Sequence, residues 1–245
     1  MTPPPLVGLA HGTRDPRGAP AIEELLAAVA ALRPGLAVVP AYLDLAEPDL
    51  TTAVAALGTP QAVVHPLLFS EAFHAGVDTP AAIAQAQQTT GTRIRRAGIL
   101  GMGDEVLAAL QVRAVQAGIA DQDGIVLAAV GSSSATANLA VAALAARWAA
   151  ERGGPVTAAF ATSGEPKVAG ALATLAGRLG RDAAGRARVG VATLFVAPGL
   201  LLDAIAGAAA EHGAPVAAPL GVELAPLVLA RYDEVVRSGA GATSV

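Results

Sequence analysis

The chain has 245 residues, 53% of them hydrophobic and 3% aromatic, with a formal net charge of −4. The length allows one large domain or two small ones, and a core of small aliphatic side chains suits helices packed closely on a sheet. No basic stripe offers itself to nucleic acid, and the absence of cysteine excludes disulfides, thiolate metal sites and cysteine nucleophiles.

The opening, MTPPPLVGLAHG, lacks the basic segment and long apolar run of a signal peptide. The uncharged stretch 124–146 is interrupted by GSSSATAN, so it is not read as a membrane span. A cytoplasmic protein with no membrane partner is expected.

Short apolar runs then alternate with alanine-rich amphipathic stretches. In chain order, strands are predicted over 6–10, 37–42, 62–68, 94–100, 125–130, 156–161, 189–195 and 216–220. Helices fall between them, for example over 19–32, 49–57, 81–88, 104–117 and 138–151. The strands are apolar along their whole length, as strands covered on both faces are. Alternating β and α units imply parallel sheets flanked by helices.

The chain also repeats itself. LVGLAHGT (6–13) resembles IVLAAVGSS (125–133), and AYLDLAEP (41–48) resembles AFATSGEP (159–166) with Glu-Pro in register. VVHPLLFSEAFHAGVD (63–78) resembles GVATLFVAPGLLLD (190–203) less closely. The expected fold is therefore α/β: two similar flavodoxin-like or Rossmann-like halves, each a parallel sheet flanked by helices, with a cleft between them. DQDG (121–124) is taken as the boundary. The first half is 1–122, the second 123–238, and 239–245 is a tail.

Three polar residues fall at carboxyl ends of first-half strands, where open α/β sheets bind their ligands. His11 ends the first strand, Asp44 the second, and His74 follows the third. Two imidazoles and a carboxylate form an ordinary donor set for a divalent first-row metal, and neutral imidazole also takes up protons near neutral pH. The second copy lacks the set. Val130 stands for His11, Thr162 for Asp44, and Gly199 or Leu200 for His74. A histidine needed only for the fold would tend to recur.

The alternative at each position is structural. Asp44 can cap the following helix. Glu47 recurs as Glu165, which favours a role in the turn. His65, inside a strand before Pro66, reads as core or sheet edge. His212 reads as a helix C-terminal residue beside Gly213. Glu71 lies close enough to His74 in sequence to support it. Ser132, Ser133 and Ser134 open a helix and offer donors to an anion, or form a cap cluster with Asn138 or Thr136 as the cap. Arg14 and Arg17 suit carboxylates. There is no GxGxxG and no Walker sequence, which argues against dinucleotide and nucleoside triphosphate cofactors.

AHGTRDPRG (10–18), AYLDLAEPDL (41–50) and PLLFSEAFHAGVDTP (66–80) resemble the corresponding segments of the class II sirohydrochlorin chelatases, in their long two-repeat form. The resemblance implies ATP-independent insertion of Fe²⁺ or Co²⁺ into sirohydrochlorin, a tetrapyrrole with eight carboxylates, for siroheme or cobalamin synthesis. It implies no permanent cofactor, the metal being a substrate. The family's two metal-binding histidines match His11 and His74, and its acidic residue matches Asp44, one methylene shorter than the usual Glu. Val77 stands where some relatives carry a second histidine, and Gly76 where relatives often carry an arginine. Substrate carboxylates are then expected at Arg14, Arg17 and Ser132 to Ser134. A chain holding both copies is expected to work as a monomer. The runner-up is a non-catalytic metal or tetrapyrrole carrier on the same fold.

Overall fold

A computed structural model describes residues 3–70 and 78–240. Two compact units emerge. The first comprises Met1–Gly101 with Gly221–Val245, the second Met102–Leu220.

The first unit is a four-stranded parallel sheet in the order β2-β1-β3-β4, from β1 (Leu6–Ala10), β2 (Val38–Tyr42), β3 (Gln61–Pro66) and β4 (Arg93–Arg96). This is the flavodoxin-like order, which reverses direction beside β1. One face is covered by α2 (Leu50–Leu57) and α3 (Thr79–Thr90), where Val7, Leu9 and Val64 pack on Val54 and Ile83. The other face is covered by α1 (Gly18–Leu32) and α8 (Ala225–Ala240). Both covers fit their sequences. Asp49 caps α2 by accepting from the Thr52 N–H at 2.7 Å, and Gly58, in the left-handed region, ends it. Gly8 makes room for α1, since a Cβ there would press on the Leu26 side chain.

The second unit has the order β6-β5-β7, from β5 (Gly124–Ala129), β6 (Val156–Phe160) and β7 (Val189–Thr193). The expected last strand, 216–220, is reduced to one parallel bridge between Val191 and Val216. Prolines at 215 and 219 carry no N–H for a ladder. Helices α6 (Val168–Leu179) and α7 (Leu200–Ala210) build the core on one face. Helix α5 (Ala135–Glu151) packs on β6, and α4 (Asp104–Gln116) packs on β7.

The repeat is recorded in hydrogen bonds. Leu43 N–H donates to Ala10 O and Asp44 N–H to His11 O, as Ala161 donates to Ala129 and Thr162 to Val130. Tyr42 donates to Pro48 O as Phe160 does to Pro166 O, and both Glu-Pro bonds are cis. Leu100 donates to Leu68 O as Leu220 does to Phe195 O, and each is followed by a positive-φ glycine, Gly101 or Gly221.

Those two glycines are where the chain changes unit, and they correct the expected division at 122/123. Helix α4, after the first copy, belongs to the second unit. Helix α8, after the second copy, belongs to the first. The two occupy equivalent places in the repeat and are exchanged. DQDG is instead an anchor within the second unit. Asp123, 1% exposed, pairs with Arg186 at 2.7 Å and accepts from the Ala120 N–H at 3.0 Å. Arg152 donates to the carbonyls of Ala120 and Asp123. The expected tail begins too early, because α8 runs to Ala240.

Candidate active site

All five residues of β1 are buried, and the strand delivers His11 to the carboxyl end of the sheet. The imidazole is half-buried, with Nδ1 shielded from solvent. The bond from Asp44 N–H to His11 O, 3.0 Å, carries the β1–β2 pairing beyond the strand ends. It fixes Asp44 beside His11 through the backbone. Between them Gly12 has φ +94°, and a Cβ there would overlap the Asp44 carbonyl oxygen. Only glycine satisfies both the conformation and the approach.

The Asp44 carboxylate is exposed, and its Oδ1 accepts from the Leu45 N–H at 2.8 Å. Leu45 takes φ +60°, the one positive φ at a non-glycine residue among those described. The loop from Tyr42 to Asp49 lines a cavity of about 470 Å³ into which Asp44, Glu47 and Asp49 bring three carboxylates. Glu47 Oε2 accepts from the Asp49 N–H at 3.2 Å, the turn role its repeat suggested. Glu165 does the same for the Lys167 N–H at 3.1 Å.

The segment after Gly12 is a chain of side-chain turns. Thr13 Oγ1 accepts from the Asp15 N–H, and Asp15 Oδ1 from the Arg17 N–H, at 3.1 and 3.0 Å. The Arg17 guanidinium forks onto Asp15 through Nε at 2.9 Å and Nη2 at 2.6 Å. That side-chain bond is the main reason the Asp15 carboxyl is held down to about 2. Arg17 thus spends its fork on its own turn. Arg14 is exposed and, among the described residues, has no ion-pair partner. The Asp between two arginines in RDPR was the signal for the fork, and reading both arginines as substrate ligands missed it.

His74 lies outside the described residues, as do Glu71, Gly76 and Val77. Among the described residues no group of three His, Asp or Glu side chains is arranged to hold a metal. His65 is a core residue of the interior strand β3, fully buried, and neither ring nitrogen has a well-formed hydrogen bond among the described residues. Burial pushes this imidazole down to about 4; the nearby Gly98 backbone opposes the shift and Arg231 adds to it. His212 stands in the turn after α7, beside Gly213 at φ +63°, as its sequence context indicated.

In the second unit the equivalent mouth carries Val130 and Thr162, whose hydroxyl donates to the Val130 carbonyl at 2.7 Å. Ser132 and Ser134 repeat the hydroxyl turn of Thr13 and Asp15, with the Ser134 N–H on Ser132 Oγ at 3.1 Å. Ser134 caps α5, in place of the expected Asn138 or Thr136. Asn138 clamps the loop instead, accepting from the Ser132 N–H and donating to the Ser132 carbonyl at 2.9 and 2.8 Å. The Ser132 and Ser134 N–H groups are therefore committed within the loop; Ser133 and Ser134 are both exposed, and Ser134 spends its hydroxyl oxygen on the cap. Gly199 and Leu200, the expected counterparts of His74, are the N-cap and first residue of α7.

The family model CbiX matches residues 5–117. No curated protein matches the chain by sequence. Among solved structures, SirB from Bacillus subtilis with Fe³⁺ is 21% identical with a TM-score of 0.77, covering 98% of each chain. A sirohydrochlorin chelatase SirB from Bacillus subtilis subspecies spizizenii, in complex with cobalt, is 20% identical with a TM-score of 0.76, over 98% of this chain and 97% of that one. A multi-domain Deinococcus radiodurans protein, described as structurally similar to chelatases, is 18% identical with a TM-score of 0.70, over 96% of this chain and 55% of its own. Likeness at these identities is likeness of fold. The CbiX family model thus matches the segment that carries His11 and Asp44 at the mouth of its sheet, just under half of the chain, and the fold of the chain is that of the SirB structures.

Proposed function

We propose that the chain is a sirohydrochlorin chelatase, inserting Fe²⁺ or Co²⁺ into the ring without ATP, for siroheme or cobalamin synthesis. The observation that carries the reading is His11 at the carboxyl end of β1, in the CbiX segment, with Asp44 bonded onto its carbonyl. His11 and His74 hold the ion, which is a substrate and not a resident cofactor. A sparse set of ligands leaves coordination positions open and lets the ion depart.

Insertion exchanges one M²⁺ for two pyrrole N–H protons, and the histidines accept those protons. Asp44, tied to the His11 backbone, orients the imidazole or relays a proton. Arg14, exposed and without an ion-pair partner among the described residues, takes a ring carboxylate, with Arg17 and the turn Ser132, Ser133 and Ser134 in lesser roles. Among the described residues no helix is long and apolar enough to cross a membrane. We place the work in the cytoplasm, on a monomer, with no nucleic-acid partner.

The test is anaerobic visible spectroscopy of sirohydrochlorin with Co²⁺ or Fe²⁺, with and without protein. Fast metallation that His11→Ala and His74→Ala each abolish is expected. Binding of ring or metal with no gain over the spontaneous rate identifies a carrier instead.

A further inference from the structure

Between Thr79 and Gly103 the chain carries three arginines and no carboxylate, although its net charge is −4. The three are Arg93, Arg95 and Arg96 in β4, an edge strand of the first unit's sheet. Ile94 packs into the core beneath α2 and α3, so Arg93 and Arg95, at alternate positions, turn to the face that α8 covers. Helix α8 adds Arg231 and Arg237. The Arg231 side chain passes beside Gly98, where a Cβ would lie 3.7 Å from its Cδ, and the charge of Arg95 acts on Tyr232 of the same helix. The carboxylates that α3 and α8 bring to this edge are Asp78, Asp233 and Glu234. Asp233 is taken by Arg33 of α1, and Glu234 by Arg231 at 2.9 Å. The Arg237 Nε donates to the Asp233 carbonyl at 3.3 Å. Arg93 is exposed and Arg95 half-buried, and among the described residues neither side chain has a hydrogen-bond or ion-pair partner.

Charges on an edge strand can serve only to keep another strand from pairing with it. Here α3 already does so. Arg93 N–H donates to Pro60 O and Ala97 N–H to Val64 O, so the N–H groups of Ile94 and Arg96 point away from the sheet, and Gln87 Oε1 accepts from the Ile94 N–H at 2.9 Å. Nor do these arginines stand at the mouth that holds His11. Arg95 is level with Val63, and Val63 with Leu6, which lies about 16 Å before His11 along β1.

We infer that the outer edge of β4, with the adjoining flank of α8, docks an acidic segment of a partner protein, an extended chain whose alternate carboxylates meet Arg93 and Arg95. Guanidinium forks match carboxylates in geometry and charge. The two arginines are about 6.6 Å apart along the strand, the spacing of alternate residues in any extended peptide. Helix α3, on the other side of the strand, presents Ala84, Gln85 and Gln88 to solvent and adds no charge. Nucleic acid fits less well, because the chain is negative overall and Tyr232, the aromatic residue of this edge, is 1% exposed and offers no base a platform. A second copy would have to bring its acidic loop, Asp44 to Asp49, which follows β2 at the opposite edge of the sheet; that contact is head-to-tail and does not close at two copies. A partner held at β4 leaves the mouth at His11 open. The inference does not depend on the chelatase reading.

The test is fluorescence anisotropy of a labelled peptide of alternating Glu and Ser, titrated with the full chain at low salt, where exposed charges act over the longest range. A Gln–Ser peptide and a single-stranded oligonucleotide carry the same label. The variants are Arg93→Gln alone, at the fully exposed position, Arg93→Gln with Arg95→Gln, and Arg178→Gln, an exposed arginine of α6, as the control. Thermal unfolding checks that each is folded. Wild type is expected to bind the Glu–Ser peptide in preference to the Gln–Ser one. The double variant is expected to raise that Kd about tenfold and Arg93→Gln about threefold, with Arg178→Gln unchanged. Equal affinity for the two peptides, or a Kd that neither β4 variant moves, overturns the inference. Tighter binding of the oligonucleotide, lost in the same variants, overturns it and makes the edge a nucleic-acid site. Self-association of wild type in sedimentation that the double variant abolishes also overturns it, and places a second copy on β4.

Discussion

His65 and Asp15 sit at opposite extremes of what a fold does to a titratable group. His65 is neutral because burial offers its charged form nothing. The unfolded chain takes up its proton below about 6.5, whereas the folded chain resists until about 4. Stability from this residue is therefore complete above the unfolded value and is lost as pH falls from there toward the folded one. The loss reaches about 3 kcal/mol. Denaturant unfolding at several pH values is expected to show this acid limb, and His65→Leu to flatten it. In Asp15 the fold favours the charged form instead, and stability is again lost in acid. Its carboxylate is favoured by the Arg17 fork, so its contribution is present above the ordinary carboxylate value and disappears as pH approaches about 2. In Arg17→Ala, an NMR titration is expected to find the Asp15 carboxyl raised toward 3.8 but still below it, because the backbone N–H of residue 17 keeps its bond to Asp15. Arg14→Ala has no such partner to release, and is expected to raise KM for the ring with kcat unchanged. A loss of kcat instead would place Arg14 at the reacting centre.

Single elements set the site through backbone geometry that sequence shows only in part. The strands β1 to β3 and β5 to β7 were legible because they are continuous apolar runs, and the repeat was legible because Glu-Pro recurs in register. The turn after β1 was not. Nothing in HGT says that the glycine touches the next loop, yet Gly12 is held at φ +94° against Asp44. Gly12→Ala is expected to cost about 1–3 kcal/mol in stability from strained backbone, and metallation more than in proportion, because the displaced loop carries Asp44. Unfolding curves and rates measured on the same variant separate the two losses. Equal activity per folded molecule would show that the His11–Asp44 contact is only structural. The start of α5 was misplaced for a related reason. Residue type offers Asn138 or Thr136 as the cap, but the Asn138 amide satisfies both polar groups of the Ser132 backbone, and Ser134 takes the cap.

At the scale of the whole molecule, the sequence shows two copies but not where each copy's last helix packs. Composition changes little at Gly101 and Gly221, and the exchanged helices α4 and α8 are amphipathic in the ordinary way, so each would suit either sheet. The exchange makes the first unit depend on the end of the chain. Helix α8 buries Leu227, Val228 and Tyr232 there, the Tyr232 hydroxyl donates to the Pro4 carbonyl at 2.8 Å, and Asp233 pairs with Arg33. Helix α8 also covers β3, where His65 lies. Ending the chain after Leu220 removes this cover and leaves apolar surface of β3 and α1 in water. Burial of three large side chains is worth about 1.5–3 kcal/mol each, against a typical domain stability of about 5–15 kcal/mol. The truncated chain is expected to lose the first unit cooperatively while the second, which contains none of the removed residues, stays folded. Thermal unfolding followed at Trp148, in the second unit, and amide exchange at β1 report the two units separately. Loss of protection at β1 with Trp148 unchanged would show that the chain beyond Leu220 holds the site bearing His11 in place. Full protection at β1 would mean that α4 has moved into the vacated position, which its equivalent place in the repeat permits, and that the exchange is not needed for the fold.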